Sequence, residues 1–592
     1  MDWSNIPERV FLESMPHSQV AEPPVISRLS FPMHRLGRLL SSIRFWWAIS
    51  LLWAGVQAWS SRQSMNPDGM SYLDMASETL KSGPHNLVNG HWSPLYPALI
   101  SLMFFIFHPS PGLEFPVIHL LNFLLFAAVL GCFTFFITSW LAPQDWSVKD
   151  KEEADYAIPF CFGIFLWFTM EFITVSEVSP DLCMAGMLFL AAGSCCRISF
   201  AASNRRSFAV FGVVLGLGYY TKSPLFVLGL ALLALLFIWP PSRSFNRARV
   251  LLAGLTFLIV TAPLVALISK QVGHPSIGET GRLNYEWQVN GMPLYTGWTG
   301  STDDVHGVPE HPPRILFDRP RTLEFTEPVK GTYPLWYDPT YWYAGAKIRF
   351  NLREQLAVLK TTLGAYYQLC IRTPGLFAGV LMLCISIRNR KIRRAPDGNS
   401  RWLVPWVLGA LSMYAVVHVE PRYVAAYFVL FWLAVYNFLW QRVTAGARIA
   451  VLLTVLLTLF VPSSITLVAE TTQALRERAR RPDYVVVGEA LRAAGVHRED
   501  RLATVGYSLD AFYARYAGAQ IVAQIIDPSE FWLSSESDFE AVKKGLTNLG
   551  VKAIVSRNAP AVSGHAGGWR EVVTPSGDRY SILTLKTDSS GR

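Results

Sequence analysis

The chain has 592 residues, of which 51% are hydrophobic, 13% aromatic and only 16% charged, a balance too apolar for an ordinary soluble protein of this size. Its formal net charge of +9 sits in short Lys and Arg runs between apolar segments, where positive charge sets membrane topology. No DNA-binding motif accompanies that charge, so the composition points to a polytopic membrane protein and away from a nucleic-acid partner.

Residues 1–43 carry Pro, Ser and scattered Arg but no apolar core followed by a small-residue cleavage site, which reads as a cytoplasmic tail. Apolar segments follow at roughly 44–60, 113–141, 157–177, 182–200, 207–221, 224–240 and 249–269, then 372–387, 402–418, 423–440 and 449–469. A span needs about 20 residues, so these amount to about eleven transmembrane helices, several of them short.

Between the first two segments lies a polar island, Asn66 to Pro97, that bears Asp68, Asp74 and Glu78 beside Tyr72, Trp92 and Tyr96. Apolar residues recur at near-helical spacing from Ser71 to Leu80, which predicts a short amphipathic helix on the bilayer surface just after Asp68. The run 94–108 is read as dipping into the outer surface. On that count Arg197, Arg205, Arg206, Arg388, Arg390 and Arg394 fall on the inside, while the short outside loops hold only Arg62, Lys81, Lys222 and Arg422. The opposite count reverses the positive-inside asymmetry.

The chosen topology groups Asp68, Asp74, Glu177, Asp181, Lys222, His418, Glu420 and Arg422 on one face. Ionisable groups at the ends of membrane segments are costly to desolvate, and their clustering implies a shared pocket. A single Lys or Arg at a helix end is more often an anchor that snorkels to the interface; four charged sites on one face, at 68–74, 177–181, 222 and 418–422, argue otherwise.

The pattern P-D-x-x-x-Y-x-D from Pro67 to Asp74, with S-G at Ser82 and a Pro-aromatic helix start near Pro94, resembles the first external loop of the GT-C membrane glycosyltransferases. Aminoarabinose transferases and protein O-mannosyltransferases (glycosyltransferase family 39) belong there. S-P-D at Ser179–Asp181, G-L-G-x-x-T-K at Gly216–Lys222 and P-R-Y at Pro421–Tyr423 are similar to later sites of that family, and the resemblance covers approximately 44–440. It implies a catalytic base at Asp68, a second acidic or acceptor site at Asp74, Glu177 and Asp181, and phosphate-binding cations at Lys222 and Arg422. It also implies a sugar donor on a polyprenyl phosphate, transfer to an unidentified glycan, lipid or protein acceptor, and inversion at the anomeric carbon. The first loop lacks a D-x-D pair, so no metal is expected, and no cofactor either. A membrane transporter or a non-catalytic scaffold of envelope glycan assembly is the alternative, although no convincing internal repeat supports the former.

Two outside loops, about 61–112 and 270–352, flank the catalytic part of the expected 44–469 transmembrane domain. The second ends in GTYPLWYDPTYWYAG, where Trp336, Tyr337 and Trp342 form either a sugar-stacking wall or an interfacial belt with its own small core. All seven cysteines, Cys132, Cys161, Cys183, Cys195, Cys196, Cys370 and Cys384, lie in or beside apolar segments, which indicates neither disulfides nor a CxxC metal site. From about 470 the composition becomes that of a soluble domain. Helix patterns at DYVVVGEALRAAGV and DFEAVKKGLTNLG alternate with strand patterns at RLATVGYS, AQIVAQI and VKAIVS, which predicts a small α/β domain with a partly parallel sheet over 470–592. The resulting expectation is an inner-membrane, multi-pass protein with its active site and C-terminal domain on the external, periplasmic side.

Overall fold

The computed structural model describes residues 39–141, 148–200, 204–294, 304–326, 328–387, 402–440, 443, 445–560 and 567–585. Most of the expected tail over 1–43 and all of the expected inside loop 388–401 lie outside the described residues.

The first half of the chain is helical: α1 (Ile43–Ser60), α2 (Pro67–Ser82), α3 (Leu95–Phe107), α4 (Glu114–Trp140), α5 (Val148–Glu171), α6 (Asp181–Phe200), α7 (Arg205–Thr221), α8 (Pro224–Ile238) and α9 (Arg247–Val272). A loop region follows with α10 (Thr280–Gln288) and the hairpin β1 (Arg314–Asp318) and β2 (Arg321–Glu324). Then come α11 (Leu352–Ile371), α12 (Pro374–Ser386), α13 (Leu403–Ala415), α14 (Pro421–Trp440) and α15 (Ala445–Arg476). The C-terminal part alternates α16 (Asp483–Ala493), β3 (Arg501–Val505), α17 (Phe512–Ala517), β4 (Gln520–Ile525), α18 (Glu536–Asn548) and β5 (Val551–Arg557). It closes with β6 (Trp569–Val573) and β7 (Arg579–Thr584).

Every apolar segment of the sequence is helical, and the protein is a multi-pass membrane protein. By length and composition, however, among the described residues only α4, α6, α9, α14 and α15 are long and apolar enough to cross a membrane, or six spans if α11 and α12, bent by 75° at their junction, count as one. This measure does not confirm the expected eleven. Length accounts for part of the difference: α8, with 15 residues, and α13, with 13, rise only about 20 Å at 1.5 Å per residue, short of the roughly 30 Å hydrocarbon core. The run 94–108 is such a short apolar helix, α3, which packs on α2 and α4.

The helix expected on the bilayer surface forms, but it starts at Pro67 and every residue from Gly69 to Ala76 is buried, so α2 is sandwiched inside the protein. One hydrophobic core fills the space between the spans. A second joins α2, α3 and the head of α4 to the 270–352 loop and the C-terminal part, with Leu73, Tyr96, Trp342, Val487 and Ile521 among its members.

The C-terminal sheet has seven strands in the order β1-β2-β4-β3-β5-β7-β6. β3 pairs in parallel with β4 and β5, and every other pairing is antiparallel. The partly parallel sheet read from the sequence is present, but β1 and β2 come from the loop near 320, more than a hundred residues earlier. Loop and C-terminal part thus share one sheet.

Candidate active site

Four segments far apart in sequence converge at one end of the helix bundle. Asp68 lies in the first turn of α2, whose start is set by Asn66 and Pro67, Pro being suited to the first helical position. Asn66 does not cap the helix with its side chain; its Oδ1 instead accepts the Val178 N–H at 3.1 Å. Gly69 lets this approach happen, because a Cβ there would sit 2.8 Å from Val178. The turn that carries Glu177 is thereby pressed against Asp68. Asn122 of α4 fixes the same turn by donating to the carbonyls of Val175 and Glu177, both at 3.0 Å.

Arg422, one residue inside α14, is the hub. Its guanidinium meets Asp68 Oδ2 at 2.9 Å, Glu420 Oε2 at 2.7 Å, Glu177 Oε1 at 3.3 Å and Asp181 Oδ2 at 3.8 Å. Lys222, just past the end of α7, places its Nζ 2.5 Å from Asp181 Oδ1 and 3.7 Å from the centre of the Tyr423 ring. That ring also lies 5.2 Å from the Arg422 guanidinium carbon, so Tyr423 braces both cations through its face. Asp181, the innermost acid with a side chain 1% exposed, additionally accepts the Ser179 hydroxyl at 3.0 Å.

Four carboxylates thus surround two adjacent cations. Burial raises the Glu177 carboxyl above the ordinary range, opposed by Arg422 and reinforced by Asp68 and Asp181. Burial acts in the same direction on Glu420, but the hydrogen bond from His418, 3.3 Å away, and the Arg422 charge outweigh it and hold that group down at about 2. Glu177 is consequently the acid of the two that takes up a proton more readily. Among the described residues no three or more His, Cys, Asp or Glu side chains form a set suited to a metal ion.

The whole architecture has a solved counterpart. ArnT from Cupriavidus metallidurans bound to undecaprenyl phosphate is similar over 93% of this chain and 99% of its own, with a TM-score of 0.52 at 12% identity. This chain has the GT-C fold. The apo form of the same ArnT gives a TM-score of 0.49 at 13% identity over 93% and 100% of the two chains. An Archaeoglobus fulgidus oligosaccharyltransferase in complex with Zn and sulfate gives 0.47 at 13% identity over 87% of this chain and 67% of that one. No family model and no curated protein matches the sequence.

Within this GT-C fold, Asp68, Glu177, Asp181, Lys222 and Arg422 come together, and Glu420 and Tyr423 join them. Asp74 does not. One and a half turns along α2 it faces the other way, accepting the Thr332 N–H at 2.7 Å and hydroxyl at 2.9 Å and pairing with Arg515 of α17 at 2.6 Å. Arg515 also reaches Glu114 at 2.8 Å and the Ser77 hydroxyl at 2.8 Å. Asp74 is thus a buried clasp between α2, the loop and the C-terminal part, placed apart from Glu177 and Asp181, with which the second acidic or acceptor site was expected. Lys81, at the end of the same helix, pairs with Glu499 at 2.7 Å.

Of the two readings of the aromatic run, Tyr337 and Trp342 follow the small core. Trp342, 1% exposed, packs against Phe325 and Tyr341 in the second core, and Tyr337 is buried with its ring against Gly331. Neither offers a face to a sugar. Trp336 does reach the site, through its indole N–H 3.2 Å from Asp68 Oδ1. Asp338 is spent on the turn, accepting the Tyr341 N–H at 3.2 Å, and burial raises it to about 6. His91, packed edge-on to Trp92 and beside Trp287 and Trp336, is kept neutral by burial, its pKa lowered to about 3. The sequence carried no signal for Arg515, an ordinary arginine on a six-residue helix. A cavity of about 190 Å³ opens near Tyr333, Tyr507 and Gln524, but no convergent charges stand there.

Proposed function

We propose that this protein is a membrane glycosyltransferase that moves a sugar from a polyprenyl-phosphate donor to an acceptor hydroxyl or amine on the external face of a cytoplasmic membrane. The observation that carries the reading is the direct Asp68–Arg422 contact at 2.9 Å, because it joins a candidate base and a candidate phosphate anchor in one site. Such a transfer needs a base for the acceptor proton and positive charge for the departing phosphate. Asp68 is the base. Arg422 and Lys222 hold the phosphate oxygens, Arg being able to grip two at once. Carboxylates contact both cations, so a bound phosphate takes the place of carboxylate oxygens on Arg422, and Asp68 is released toward the acceptor. Single displacement inverts the anomeric carbon.

ArnT, the counterpart in fold, was solved with undecaprenyl phosphate, which favours a lipid-linked donor here. The 66–97 island, the 270–352 loop and the C-terminal part pack on one another through Asp74, Thr332, Arg515 and the shared sheet, which supports all three on one side of the membrane. Single cysteines read with an impermeant thiol reagent test the side: labelling at 310 but not at 395 in intact cells is expected, and the reverse pattern overturns the orientation. The function is tested by mass spectrometry of lipids from a strain lacking the gene. A polyprenyl-phosphate sugar should accumulate and disappear on complementation; an unchanged lipid profile would remove the assignment.

A further inference from the structure

We propose that Trp336 is a positioning residue that fixes the carboxylate plane of Asp68, an inference that rests on Asp68 being the base. The indole is a donor without an acceptor, so it orients the carboxylate without competing for a proton. Its N–H lies 3.2 Å from Oδ1 while Arg422 holds Oδ2 at 2.9 Å, and one donor on each oxygen sets the plane of the carboxylate. Each oxygen keeps a second lone pair for the acceptor proton.

The donor itself is held rigidly. The Trp336 carbonyl accepts the Ser71 hydroxyl at 2.8 Å and the Trp92 indole N–H at 3.1 Å. Ser71 stands three residues after Asp68 on α2, on the same helical face, so the helix that carries the carboxylate also anchors its orienting group. The Trp336 ring rests edge-to-face on Trp92, with centroids 5.7 Å apart, and against Trp287 at 5.9 Å. When phosphate draws Arg422 away from Oδ2, Trp336 is the contact that keeps Asp68 aimed. A ring that served only as packing or as a stacking face has no need of an N–H directed at the carboxylate.

The test uses the full chain in lipid with the lipid-linked donor, and reads kcat, donor KM and the pH dependence of kcat. Trp336→Phe keeps an aromatic ring, smaller than the indole, and removes the N–H. Turnover should fall about tenfold, the size expected for losing a hydrogen bond to a charged group, with donor KM unchanged. A carboxylate that loses a donor becomes harder to ionise, so the acid limb of the profile should move to higher pH. Ser71→Ala, which leaves the aromatic packing intact, should move the limb the same way by less, and it keeps the test decisive should Trp336→Phe fold poorly. An acid limb unmoved in both variants overturns the proposal, as does a rise in KM alone, which would return Trp336 to a stacking role. Asp68→Asn is measured alongside: near-normal turnover in that variant would sink the assignment of the base instead.

Discussion

Arg422 and Asp68, 354 positions apart in the chain, meet at 2.9 Å, and that contact decides how Asp68 is to be read. The helix α2 begins at Pro67, so Asp68 lies inside its first turn and is not the cap, and its carboxylate faces Arg422 and Trp336. Asp68→Asn should therefore leave the thermal midpoint nearly unchanged, because three other carboxylates still surround Arg422. Turnover should fall by about two to four orders of magnitude, the usual worth of a general base. Full activity in purified Asp68→Asn would move the search for the base to Glu177, the half-buried acid with a raised pKa.

The two cations should respond differently to substitution. Arg422→Lys keeps a charge but loses the fork, so donor affinity should drop about tenfold or more. Lys222→Met has a second effect, since it strips the fully buried Asp181 of its nearest cation at 2.5 Å and leaves it the Ser179 hydroxyl and Arg422 at 3.8 Å; the cost is smaller than the about 3–5 kcal/mol of a buried charge left with no partner. Its thermal midpoint should fall together with donor binding. Adding Asp181→Asn should restore the midpoint and not the binding, whereas restored binding would show that Lys222 serves Asp181 and not the phosphate.

Asp74 and Arg515 form the clasp, both being under a tenth exposed. Arg515→Ala leaves Asp74 and Glu114 without their shared cation, so it should destabilise the protein by about 3–5 kcal/mol and speed proteolysis of the C-terminal part. Donor affinity measured at low temperature should stay the same. Asp74→Asn should lose far less turnover than Asp68→Asn; an equal loss would return Asp74 to the chemistry.

His91 sets an acid limit on stability. Its folded pKa is lowered to about 3, below the roughly 6.5 of an unfolded chain. As pH falls between those values the unfolded state takes a proton that the folded state refuses, so stability declines with acidity across that window. His91→Phe should flatten the dependence of the melting midpoint on pH below about 6.5. A wild-type slope retained in the variant would mean that other groups set it.

The sequence by itself determined the membrane class, the helical nature of each apolar segment, the strands at 501, 520 and 551, and the order of the charged motifs. Those properties are local: apolar runs, period-2 and period-3.6 patterns and turn residues declare themselves within about twenty positions. Motif order also brought Asp68, Glu177, Asp181, Lys222 and Arg422 forward together, since charges at the ends of apolar segments have few places to go except toward one another. Only the tertiary structure decided which way each side chain faces. Asp68 and Asp74 sit six positions apart on one helix, yet one meets Arg422 and the other Arg515, because neighbouring positions on a helix point to different partners and the partners come from segments hundreds of residues away. The same holds for Trp336 and Trp342, alike in sequence and separated in role by packing. Likewise the hairpin near 320 joins the C-terminal sheet, because strand pairing is satisfied by whichever edge the fold brings alongside, and no local pattern names that edge.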